Sequence, residues 1–229
     1  DNMKLEDINM DFNNGSTPLD WCYRYNRSSI KQQLIELIRE KGGKKTSDFI
    51  IERYNKDYPL GTPFVVACQL GNESDVNSLI EGIVLFLPGW YMMDDTIMDK
   101  VGKNSRGGSM TPLMAAALNE HSKIIKILLN FKVNTATTTE DGFNALHFAA
   151  AANRRNTTTV QLLLNNMKLE DINHKDRYGD TPLDRCYYNP NSIYQQLIDL
   201  IREKGGKRGD NGDQNQKADE MNVVPHLKF

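Results

Sequence analysis

The chain has 229 residues, a formal net charge of −2, 25% charged residues and 39% apolar residues. That balance gives no electrostatic footprint for nucleic acid and enough apolar side chains to bury a core, which argues against both a basic nucleic-acid binder and a disordered chain. The most apolar run, Ile83 to Leu87, stops at Pro88-Gly89. It is far short of the ~20 residues that a membrane-spanning helix needs.

In chain order, the first feature is an octapeptide that returns later. Residues 2–9 read NMKLEDIN, and residues 166–173 read the same. The copy extends well past eight residues: Gly15-Ser-Thr-Pro-Leu answers Gly179-Asp-Thr-Pro-Leu, and QQLIELIREKGGK at 32–44 answers QQLIDLIREKGGK at 195–207. A duplication of this length makes internal repeats the first thing to seek. The Thr-Pro-Leu element supplies the anchor, at Thr17-Pro18-Leu19, Thr62-Pro63-Phe64, Thr111-Pro112-Leu113, Asn144-Ala145-Leu146 and Thr181-Pro182-Leu183. A Thr ahead of Pro suits a helix start, because the hydroxyl caps the first turn and the missing Pro donor does no harm there.

Each anchor leads into a short segment with small residues, such as Val66-Ala67-Cys68, Ala115 to Ala117 and Ala149 to Ala151. A second segment follows with apolar residues at helical spacing: Ile30, Leu34, Leu37 and Ile38 first, then Ile124, Ile125, Ile127, Leu128 and Leu129, then Val160, Leu162, Leu163 and Leu164. Gly42-Gly43 stands where a helix would end in a left-handed cap. Each unit is therefore predicted as helix, turn, helix, with a hairpin-like loop to the next. The units fall at about 12–45, 57–87, 106–135, 139–172 and 176–207, in one domain over 1–207. Longer stretches at about 44–57 and 88–106 read as insertions, and 208–229 as a flexible polar tail.

These residues resemble ankyrin repeats, whose unit runs Asp-x-x-Gly-x-Thr-Pro-Leu-His-x-Ala-Ala before a second helix ending in Leu-Leu. The best match is Glu140 to Asn173, which keeps Gly142, Leu146, His147 and Ala149-Ala150. Met114 stands at the His position of the third unit, and Asp20 and Asp184 stand there in the first and fifth. The resemblance implies an all-α solenoid of paired antiparallel helices, and LEDIN becomes the seam between two units, where the family has Ala-Asp-Val-Asn. It also places Asn9, Asn134 and Asn173 where some ankyrin proteins carry a hydroxylated asparagine.

Chemistry of other kinds finds little support. Cys22, Cys68 and Cys186 make an odd set with no CxxC pair, and fit small buried side chains better than a disulfide or zinc framework. His147 matches the buried, hydrogen-bonded His of the family. Asp94, Asp95 and Asp99 lack a glycine-turned ligand loop and read as a solvated helix start. The glycine-containing run at 102–108 lacks the strand and spacing of a phosphate loop. No catalytic residue, cofactor or metal site is expected.

What remains is recognition: the resemblance implies a non-catalytic module that binds another protein on the concave face formed by hairpin tips and first helices. Carried onto this chain, with the aromatic stretch of the second insertion, the residues expected to meet a partner are Arg24, Tyr25, Trp90, Tyr91, Met110, Phe143, Arg177, Tyr178 and Tyr188. Two alternatives stand beside it. One is weak self-association through apolar stack ends around Ile30, Leu34 and Leu37. The other is a regulatory portion of a larger protein, as an opening Asp1 in place of Met suggests a fragment or processed form. Unpaired cysteines and the lack of a signal-like segment favour a cytoplasmic location.

Overall fold

The computed structural model describes residues 4–10, 16–25, 31–57, 61–84, 96–152, 157–188 and 192–209. In chain order the helices are α1 (Leu5–Ile8), α2 (Pro18–Tyr25), α3 (Lys31–Glu40), α4 (Thr46–Asp57), α5 (Pro63–Leu70), α6 (Glu73–Val84) and α7 (Thr96–Asp99). A two-stranded hairpin follows, β1 (Gly102–Lys103) antiparallel to β2 (Ser109–Met110). Then come α8 (Pro112–Leu118), α9 (Ser122–Asn130), α10 (Ala145–Ala151), α11 (Thr157–Leu164), α12 (Leu169–Ile172), α13 (Pro182–Tyr187) and α14 (Ser192–Glu203).

The first helices α5, α8, α10 and α13 pack one on the next, and the second helices α6, α9, α11 and α14 form a parallel row behind them. Small residues make the front row possible. Ala115, Ala116, Ala117, Ala145, Ala149 and Ala150 are all buried, so backbones of adjacent first helices approach closely. Leu and Ile fill the space between rows: Ile124, Ile125, Leu128, Leu163 and Ile201 are fully buried in one continuous core that runs from Ile50 to Ile201. Cys68 and Cys186 belong to that core, and burial pushes the Cys186 thiol up to about 12. All three cysteines are free and buried.

The helix starts follow from the anchors. Thr111 Oγ1 accepts the Met114 amide at 3.2 Å, and Asn144 Oδ1 accepts those of Leu146 and His147 at 3.1 and 3.2 Å. In the two duplicated copies the anchor is Thr-Pro-Leu-Asp, and the Asp earns its place twice. Asp20 Oδ2 accepts the Thr17 amide (2.9 Å) while Thr17 Oγ1 accepts the Asp20 amide (3.3 Å), a reciprocal cap. The same carboxylate then accepts the amide and hydroxyl of Thr46 (2.9 and 2.7 Å), and Asp184 likewise accepts the amides of Thr181 and Gly209. An Asp where the family has His thus ties the helix start to the strand of chain leaving the unit.

The Gly-Gly pairs end α3 and α14 identically. Gly42 and Gly205 have φ of 82° and 83°, and the Gly43 and Gly206 amides reach back to the Ile38 and Ile201 carbonyls at 2.8 Å. A Cβ on Gly43 would lie 2.7 Å from the Ile38 carbonyl oxygen, so the second glycine is required by closeness and the first by conformation.

Two stretches read as insertions carry structure. Residues 46–57 form α4, which packs against α5 and α6, with Ile50 and Tyr54 in the main core. Tyr54 donates to Asp75 Oδ2 at 2.8 Å, and Arg53 pairs with the same carboxylate. Burial and that bond push the Tyr54 phenol up to about 12. Of the second stretch, residues 96–106 supply α7 and the start of the β1–β2 hairpin. The Thr62 amide donates to the Lys103 carbonyl at 2.8 Å and the Ser105 amide to Gln69 Oε1 at 2.9 Å, which fixes the hairpin beside α5.

Candidate functional site

The best-defined surface of the expected kind lies where two successive hairpins meet. In the loop 139–143 the Gly142 amide donates to the Thr139 carbonyl, and in the loop 176–180 the Gly179 amide donates to that of Asp176. Gly142 (φ 82°) lets the two loops stack, since a Cβ there would come within 3.0 Å of Asp176 Cα. The Arg177 amide then donates to the Asp141 carbonyl at 3.0 Å across the joint.

Asp176 organises the second loop. Its Oδ1 accepts the Tyr178 and Asp180 amides at 2.8 and 3.1 Å, and its Oδ2 pairs with Arg185 on α13. Burial alone would raise this carboxyl, but the Arg185 guanidinium and the two amides outweigh it and hold it below the usual carboxylate range. Arg185 in turn lies over the Phe143 ring (4.7 Å) and near that of Tyr188 (5.7 Å), and reaches Asp180 at 3.7 Å. Tyr188 donates to Asp180 Oδ2 at 2.8 Å, so its ring is held at one orientation although it is 60% exposed. Tyr178, 55% exposed, has Arg177 over its ring at 5.0 Å, and Arg177 is ion-paired with Asp141.

Beneath the patch His147 links the two units. Its Nε2 donates to the Asp180 carbonyl at 3.2 Å, which leaves Nδ1 to accept the Asn144 amide at 3.2 Å. Burial pushes the imidazole down to about 4, and the ring stays neutral at physiological pH. It is a structural tie and stands in no nucleophile or metal constellation; the described residues contain no group of His, Cys, Asp and Glu able to hold a metal ion.

The nine residues expected from sequence divide cleanly. Phe143, Arg177, Tyr178 and Tyr188 are brought together on this surface. Met110 is not available: it is 5% exposed and in the main core, because the two-residue strand β2 turns it inward between the hairpin and the helices. Trp90 and Tyr91 lie outside the described residues, and Arg24 and Tyr25 end α2 with side chains outside them too. Arg185, which joins two of the four surface residues, Phe143 and Tyr188, to Asp176 and Asp180, is absent from the expected set. A sequence signal existed: the duplicated copies differ together at its position and at that of Asp176, where the amino-terminal copy has Trp21 and Phe12.

The seam residues are equally explicit. Asn173 donates to the Gly205 carbonyl (3.1 Å) and accepts the Lys207 amide (2.6 Å), and Asn9 does the same with Gly42 (3.0 Å) and Lys44 (2.7 Å). Each copy of LEDIN thus clamps the far end of the unit that follows it.

No curated protein matches the chain. Residues 64–176 match a family model described as ankyrin repeats (3 copies). Ankyrin repeats are in general non-catalytic modules of protein–protein interaction, and none of the described helices is long and apolar enough to cross a membrane. With stacked helix pairs, Thr-Pro caps and successive glycine-turned hairpins all in place, this chain carries ankyrin repeats over residues 64–176.

Proposed function

We propose that the chain is an adaptor that binds another protein through the surface built by Phe143, Arg177, Tyr178, Arg185 and Tyr188. The observation that carries this reading is the prior ordering of its two exposed tyrosines, one bonded to Asp180 and the other stacked by Arg177. Large side chains already held in place lose little entropy when a partner covers them, which is how a small patch comes to dominate an interface. The charges present are paired within the chain, Arg177 with Asp141 and Arg185 with Asp176, so a partner need not neutralise a buried ion.

The test is photo-cross-linking from a benzophenone amino acid placed at position 178 in extracts of the native source, with position 123 on the exposed surface of α9 as comparison. A specific adduct from position 178, abolished by Tyr188→Ala, supports the assignment. Identical adducts from both positions, or none from 178, rejects it.

A further inference from the structure

The charges of this chain change sign at one place. From Asp57 to Asp99 there are seven carboxylates and no Lys or Arg, whereas from Lys100 to Asn119 there are three cations, Lys100, Lys103 and Arg106, and no Asp or Glu. All three cations are exposed and lie on or beside the β1–β2 hairpin, which leads into α8 as the loops 139–143 and 176–180 lead into α10 and α13. Arg53, Arg177, Arg185 and Arg208 each pair with a carboxylate of this chain, but no carboxylate among the described residues pairs with Lys100, Lys103 or Arg106. The tip that carries them is fixed. Asn104 Oδ1 accepts the Arg106 and Gly108 amides, both at 2.9 Å, Gly107 turns the chain at φ 83°, and the Lys103 amide donates to Thr62 Oγ1 at 2.9 Å.

We propose that this hairpin tip docks a short acidic segment of a protein partner, whose Asp and Glu side chains meet Lys100, Lys103 and Arg106. The backbone that presents these cations is already ordered, so an incoming segment loses only its own freedom. No carboxylate of the described residues has to be displaced, and the complementary charge speeds the encounter and sets its register. What flanks the tip limits the length of the segment. Asp99 precedes it, and the next hairpin carries Glu140 and Asp141. A nucleic acid, with one charge per ~1.7 Å of duplex axis, would run from the three cations onto those carboxylates, which favours a short peptide over a long polyanion. The contact is additional to the aromatic surface described above and does not rest on it.

Titration of the whole chain into a short labelled peptide of alternating Glu and Ala, followed by fluorescence anisotropy at low salt, tests this. Binding should saturate, and the double variant Lys103→Glu/Arg106→Glu should weaken it roughly tenfold or more while keeping the helical circular dichroism of the parent. Lys126→Glu/Lys132→Glu, on and just beyond α9, changes the net charge by the same amount and should leave the affinity within about twofold, which separates the tip from overall charge. Lys103→Gln/Arg106→Gln removes charge without reversing it and should fall between the parent and the reversed variant. No saturable binding, an equal loss from the α9 pair, or tighter binding of a single-stranded oligonucleotide of matched length would each overturn the proposal. Tyr178→Ala should leave the peptide affinity unchanged, so the hairpin tip and the aromatic surface stand or fall separately.

Discussion

Nearly the same forty residues fold twice in this molecule, and the two results differ chiefly in what lies against them. The internal geometry agrees closely: Lys45 sits 3.8 Å from the Tyr23 ring centre and Arg208 sits 4.2 Å from that of Tyr187, each beyond the Gly-Gly turn. The amino-terminal copy nevertheless keeps a small core of its own, Leu19, Cys22 and Ile35, while its twin shares the core of the whole stack. Sequence therefore sets the unit, and the neighbour sets how deeply it is embedded. The cation at the turn registers the same contrast. Burial lowers the Lys45 ammonium to about 8, whereas Arg208 pairs with Asp184.

Replacing Arg185 should produce the largest effect. Asp176 would remain buried without its guanidinium, so Arg185→Leu is expected to cost about 3–5 kcal/mol in urea unfolding, while Trp21→Leu costs clearly less. Similar losses would show that the two copies are embedded alike. Core truncation extends the test: Ile201→Ala is expected to cost about 3–4 kcal/mol and Ile38→Ala less than half of that, because Ile38 is only half-buried. Between pH 6.5 and 4 acid should act chiefly at one junction. His147, lowered to about 4 in the fold against 6.5 unfolded, holds its full contribution above pH 6.5 and loses it as pH falls toward 4. The loss amounts to about 3 kcal/mol, and His147→Gln should flatten that part of the stability profile. The smallest effect should be equal in both copies. Gly42→Ala and Gly205→Ala each place a side chain at positive φ, and each is expected to cost about 1 kcal/mol. A difference well beyond that between the two glycines would break the local equivalence of the copies.

The sequence was most legible where local chemistry decides structure. Thr-Pro anchors, alanine runs and Gly-Gly stops carry their meaning within a turn or two, and the helix starts at Pro63, Pro112 and Pro182 follow directly from them. Three features depend on contacts distant in the chain and were harder to see. Residues 46–57 break the repeat spacing, yet Ile50 and Tyr54 lie one helical turn apart and the Asp48 carboxylate accepts the Lys45 amide at 2.9 Å. Met110 belongs to a hairpin tip by position but faces inward because its strand pairs with Gly102. The Arg185 assembly spans loops from two units, and only the paired change between the copies hinted at it.

The position of α4 has a consequence for how the molecule opens. Repeat arrays pass stability from each unit to the next, so their ends are protected only through unbroken contact with the middle. Here α4, not α2 or α3, abuts α5 and α6, and Tyr54 and Arg53 fasten it to Asp75. The relay of cooperativity is thereby interrupted after the main core. Amide hydrogens of α3 should exchange through a local opening while those of α9 and α11 wait for global unfolding, giving one chain two clocks.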